Sequence, residues 1–100
     1  MKELTKQDIL EYLKSKKDEL YSKYGLVKIG LFGSFVKESY HDKSDIDLAI
    51  EIDKKKKTLH NFLSIKRELE EYFGRKVDLG IYSSLKKRVK NSIENEIVYV

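Results

Sequence analysis

The sequence predicts a small α/β (α+β) domain, a short mixed β-sheet with helices mainly on one face and an acid-bearing face left open. Three observations predict it. Apolar residues recur at helical spacing in two long segments, 5–24 and 58–73, each followed by glycine. Three short runs, 27–32, 45–52 and 76–82, are rich in Val, Ile and Leu and have strand length. Helices and strands interleave along the chain, the order expected of packed α and β layers.

Thr5 followed three residues later by Asp8 has the form of a capping box, and Ile9, Leu10, Leu13, Leu20 and Tyr24 then mark one apolar face. A first helix is expected over 5–24, with Gly25 where a left-handed cap belongs. Residues 27–32 read as a buried strand, after which Gly33 turns the chain into a short helix over 34–39. In the second strand, 45–52, Ile46, Leu48, Ile50 and Ile52 alternate against Asp47, Ala49 and Glu51. That alternation puts the carboxylates opposite the core face. Thr58 caps a third helix carrying Leu59, Phe62, Leu63, Ile65, Leu69 and Phe73, and Gly74 closes it. A third strand over 76–82 has Val77, Leu79 and Ile81 on one face and Asp78 on the other. A last helix from about Ser84 carries Leu85, Val89 and Ile93 at four-residue spacing. Residues 97–100 read either as a terminal strand or as a frayed end.

The 100 residues make one domain, 1–100, large enough for a single core. Apolar residues are 40% and charged residues 38%, which excludes a disordered chain and predicts a soluble globular one. No apolar run approaches the roughly 20 residues that span a bilayer, and the start, Met1-Lys2-Glu3-Leu4, lacks the apolar region of a signal peptide. Cysteine is absent, so disulfide frames and thiolate metal sites are excluded. The expected location is the cytoplasm. A net charge of +4, from 21 basic and 17 acidic residues, favours anionic ligands such as nucleotides without indicating nucleic-acid binding. The lysines at 54–57 read as a solvated loop, with contact to RNA or an acidic partner surface as the alternative. His41 and His60 have no second histidine at ligand spacing and read as surface residues. The seven tyrosines read mostly as core or interface fillers; Tyr40, in the loop, is partner- or solvent-facing, with stacking on a base as the alternative.

Chemistry concentrates between residues 33 and 47. Asp45 and Asp47, two apart on a strand, project to one face roughly 6–7 Å apart along the chain. Held together, they repel unless a cation sits between them. Mg²⁺ suits such a pair, because it prefers carboxylate oxygens and keeps open positions for phosphate. Gly33-Ser34, where a strand turns into a short helix, offers backbone N–H groups to a phosphate. Gly33 lets the backbone approach closely, and the Ser34 hydroxyl adds a donor. Phosphate cradle and paired carboxylates together point to chemistry on a nucleoside triphosphate.

Gly33-Ser34, the spacer, Asp45-Ile46-Asp47 and the later strand-borne Asp78 resemble the signature of the nucleotidyltransferase superfamily that includes DNA polymerase beta. More narrowly, the chain is similar to the minimal nucleotidyltransferases, small antitoxin partners of HEPN-domain toxins. The resemblance runs from about Val27 to Tyr82 and more weakly over 97–100; Glu38 departs from it, standing where the family often has glycine. It implies transfer of AMP from ATP to a hydroxyl, with a tyrosine of a HEPN ribonuclease toxin as acceptor. It also implies two Mg²⁺ ions held by Asp45 and Asp47, with Asp78 as the ligand of the ion beside the acceptor hydroxyl, lowering that hydroxyl's pKa or taking its proton. Lys37 or Lys43 would neutralise the leaving pyrophosphate, and the sequence does not choose between them. The competing reading is a non-catalytic antitoxin that neutralises its toxin by contact. An RNA-binding module built on residues 54–57 ranks last, for want of interleaved aromatics.

Overall fold

Each long helix begins at a threonine and ends at a glycine. The computed structural model describes residues 4–37 and 44–100. Helix α1 spans Lys6–Tyr24. The Thr5 side chain accepts from the Asp8 N–H, and the Asp8 carboxylate accepts from the Thr5 N–H, a complete capping box. Helix α3 spans Leu59–Phe73, with the Thr58 side chain accepting from Asn61 N–H. Gly25 and Gly74 both sit in the left-handed region and donate back to the last turn. Between these helices run β1 (Leu26–Phe32), the short helix α2 (Ser34–Lys37) and β2 (Ile46–Ile52). After α3 come β3 (Val77–Ile81), α4 (Lys87–Ile93) and β4 (Val98–Tyr99).

The sheet order is β3-β2-β1-β4. β1 runs antiparallel to β2 and to β4, while β2 and β3 are parallel. The tail at 97–100 is therefore a strand: Gly30 pairs with Tyr99, Leu31 with Val98, and Val100 N–H donates to the Ile29 carbonyl at 3.1 Å. Register sorts the side chains. Ile29, Leu31, Ile46, Leu48, Ile50, Val77 and Leu79 point one way and are buried beneath α1 and α3, which supply Ile9, Leu13, Leu20, Ile65 and Leu69. The opposite face carries the row Phe32–Asp47–Asp78 and, next to it, the row Tyr99–Gly30–Ala49–Gly80.

The second row explains how the C-terminal segment lies on the acid-bearing face. A Cβ at Gly30 would stand 2.8 Å from the Ile97 and Tyr99 side chains, and one at Gly80 would stand 3.2 Å from Leu85. Small residues make room for that segment, and the face stays open at the aspartate row, where Asp78 is exposed.

Several expectations shift. The last helix starts at Lys87 rather than near Ser84, because Tyr82–Ser84 forms a 3-10 turn first. Leu59 and Leu63 do not join the core, being 72% and 42% exposed. They lie on the flank of α3, away from the line of Ile65 and Leu69 that meets the sheet. Val27 is likewise exposed at the start of the expected buried strand. No described tyrosine is fully buried; Tyr12 and Tyr24 pack at the margin of the core, and Tyr12 stacks on exposed Tyr72 with ring centroids 3.5 Å apart. The lysines at 54–57 are exposed, as expected of a solvated loop. Among the described residues no helix is long and apolar enough to cross a membrane.

Candidate active site

Gly33 leaves β1 with φ +78°, a conformation glycine adopts at no steric cost. A Cβ there would also lie 2.1 Å from Oδ2 of Asp47. Two separate reasons thus require glycine: the turn itself and the close approach of backbone to carboxylate. The Gly33 carbonyl accepts from Val36 N–H and Lys37 N–H, each at 3.1 Å, which winds α2. Phe35, completely buried, plugs α2 into the core and fixes Ser34 immediately after the turn.

Parallel pairing of β2 with β3 sets Asp47 opposite Asp78, and antiparallel pairing with β1 sets Asp47 opposite Phe32. Neighbours opposite each other in a sheet share a face. Asp47 and Asp78 therefore emerge together, one residue short of Gly33 at the end of β1. Asp45 stands one residue ahead of β2. Its approach is held by Arg75, whose Nη1 donates to the Ser44 carbonyl at 3.0 Å while the guanidinium lies 5.3 Å from the Phe35 ring centroid. Ile46 N–H donates to the Lys76 carbonyl at 3.0 Å, closing the same junction.

The Asp47 carboxyl is pushed up to about 6, first by burial and then by the charges of Asp78, Asp45 and Glu96. Among the described residues no group of three or more His, Asp or Glu side chains is placed to hold a metal ion, so Asp45, Asp47 and Asp78 do not stand together as a three-carboxylate site. The donor set nevertheless fits Mg²⁺, which is usually held by one or two carboxylates and completes its shell with phosphate oxygens and water. Asp45 and Asp47 supply hard oxygens of that kind, and Gly33 leaves the Asp47 oxygen uncovered by any side chain of its own.

Two residues at the site escaped the sequence reading. Nothing in the sequence patterning singled out Arg75. Glu96 was not singled out at all, yet its Oε1 accepts from Gly33 N–H at 3.1 Å and its Oε2 lies 3.3 Å from Lys37 Nζ. The N–H of Gly33 is thus committed within the protein rather than offered to a ligand. The available signal was weak: Glu96 precedes a four-residue tail whose strand character had to be known first. Lys37 is at the site; Lys43, Glu38, Tyr40 and His41 lie outside the described residues. His60 is exposed in the first turn of α3.

The family model described as polymerase beta, nucleotidyltransferase matches residues 7–100. A relative named protein adenylyltransferase MntA, from Thermococcus cleftensis, is 34% identical over 97 residues, covering 97% of each chain. Among solved structures, one presented as a minimal nucleotidyltransferase superposes with a TM-score of 0.80 at 21% identity, covering 98% of both chains. Another, of a toxin–antitoxin with AMP-PNP, gives a TM-score of 0.68 at 22% identity, covering 86% of this chain and 70% of that one.

Proposed function

The chain belongs to the polymerase beta nucleotidyltransferase family, and from that membership we propose that it transfers AMP from ATP to a tyrosine hydroxyl of a HEPN-type toxin, as the enzymatic antitoxin. The observation that carries this reading is the register: Asp47 faces Asp78 across two parallel strands, while Gly33 backs directly onto the Asp47 carboxylate. A relative 34% identical over nearly the whole chain is named protein adenylyltransferase, which supports AMP as the group moved. A neighbour of the same fold occurs in a toxin–antitoxin structure with AMP-PNP, which supports the nucleotide and the class of partner.

The residues divide the work. Gly33 clears space for the triphosphate, and the Ser34 hydroxyl and N–H bind a phosphate oxygen. Asp45 and Asp47 would hold two Mg²⁺ ions, with Asp78 as a ligand on the acceptor side; when bound, the ions stabilise charge on the transferring phosphoryl group. Asp78, exposed beside Asp47, takes the proton of the acceptor hydroxyl. The tyrosine oxygen bonds to the α-phosphorus, the bond from that phosphorus to the β-phosphate bridge breaks, and pyrophosphate leaves. Lys37 neutralises the departing charge.

Replacing Asp78 with Asn tests the division. Transfer should be lost while ATP affinity stays near the parent value, because the triphosphate side keeps Asp45, Asp47, Gly33 and Ser34. An Asp78→Asn variant that still transfers AMP at the parent rate contradicts the assignment.

A further inference from the structure

β4 pairs with β1 through Gly30↔Tyr99 and Leu31↔Val98. The ladder ends there: Gly33 turns out of β1, and Glu96 lies in the turn before β4, its N–H donating to the Ile93 carbonyl. The acceptor for Gly33 N–H there is the Glu96 side chain, through Oε1 at 3.1 Å. The second oxygen, Oε2, lies 3.3 Å from Lys37 Nζ. One carboxylate thus spans α2, bonded to the residue before it and paired with the residue at its end. The Glu96 side chain is 19% exposed and that of Lys37 62%. A shielded carboxylate bonded to both an N–H and an ammonium is a firmer tie than an exposed ion pair. An ammonium has three donors, so Lys37 keeps N–H groups for a second anion. On its other side Gly33 stands against Asp47. Its position is therefore set from two directions, by Asp47 and by Glu96.

We propose that Glu96 is a positioning residue for nucleotidyl transfer, holding the Gly33-Ser34 turn and the Lys37 ammonium at the spacing a triphosphate needs. The inference rests on the ATP reading given above. A residue that merely finishes the β1 ladder would contribute to stability alone. Glu96 acts on the reaction through Gly33 and Lys37, and touches neither nucleotide nor acceptor.

The test uses the full chain with Mg²⁺ and AMP-PNP, alongside thermal melts. Glu96→Ala should weaken AMP-PNP about tenfold, through the released Gly33 turn and Lys37 ammonium rather than a contact of its own, at a temperature where the variant is folded. Glu96→Gln keeps an oxygen for the Gly33 N–H and should recover part of that affinity. Lys37→Met should weaken binding in the parent but add little on top of Glu96→Ala, because the two act as one unit. Should Glu96→Ala unfold too early, Glu96→Gln with and without Lys37→Met carries the same comparison. Folded Glu96 variants that bind AMP-PNP like the parent overturn the proposal. So does tighter binding, which would make the carboxylate a competitor of phosphate. A parent that fails to bind AMP-PNP at all overturns the ATP reading and this proposal with it.

Discussion

Gly33→Ala should damage the fold and the nucleotide site together, by an amount the geometry sets. An L-residue held at φ +78° pays roughly 1–2 kcal/mol for left-handed backbone. Its Cβ would stand 2.1 Å from Asp47 Oδ2 and 2.9 Å from Cγ, an overlap that forces strand or side chain to move. Overpacking of that kind costs roughly 1–3 kcal/mol. The sum is about 2–5 kcal/mol, or on the order of 10–25 °C in melting temperature for a domain this size. Thermal melts of the parent, Gly33→Ala, Asp47→Ala and the double variant separate the two causes. Removing the carboxylate relieves the two shortest contacts and leaves the backbone cost. Gly33→Ala should therefore lose less stability in the Asp47→Ala background than alone. A Gly33→Ala protein within about 0.5 kcal/mol of the parent, the range of neutral surface changes, would refute the close approach of turn and carboxylate. Equal losses in both backgrounds would refute the role of Asp47.

The Asp47 carboxyl, raised to about 6 by burial and by Asp78, Asp45 and Glu96, gives a pH dependence of definite sign. The folded state binds its proton more tightly than the unfolded state, so the ionised form costs stability. That cost is present in full above the folded pKa and fades as pH falls toward the unfolded value of about 3.9. Metal-free Asp47→Asn should melt above the parent near neutral pH, with the gap closing in acid; a lower melt near neutral pH contradicts this. Ser34→Ala should weaken AMP-PNP by roughly 1.5–3 kcal/mol, the worth of a bond to a charged oxygen, as measured by titration calorimetry; unchanged affinity removes Ser34 from the cradle. Thr5→Ala should cost about 1 kcal/mol in a denaturant melt by breaking the capping box, without altering nucleotide affinity.

Much of this fold was written in local chemistry. The Thr5/Asp8 pair, Thr58, Gly25 and Gly74 act within a few residues of themselves, so the ends of both long helices could be placed from sequence. The phase of β2 and β3 was equally legible, since alternation alone puts Asp47 and Asp78 opposite their core faces. What alternation could not supply was adjacency. That β3 lies beside β2 with Asp47 opposite Asp78 is a long-range pairing fact. Glu96 was hidden for the same reason: it matters only because β4 returns antiparallel to β1 and delivers a side chain from the far end of the chain to Gly33. Arg75 likewise reaches back to Ser44 across 31 residues. The exposed Leu59 and Leu63 mark the opposite failure, where helical spacing was correct but the width of the buried stripe was not.

Transfer of nucleotide to the partner separates a catalyst from a contact inhibitor. The partner toxin, incubated with ATP, Mg²⁺ and less than one equivalent of this chain, should gain the mass of AMP on a tyrosine. Asp45→Asn/Asp78→Asn should leave its mass unchanged and its toxicity intact. A toxin neutralised only at full equivalence, without ATP, without added mass, and equally well by the double variant, would contradict catalysis and identify a contact inhibitor instead.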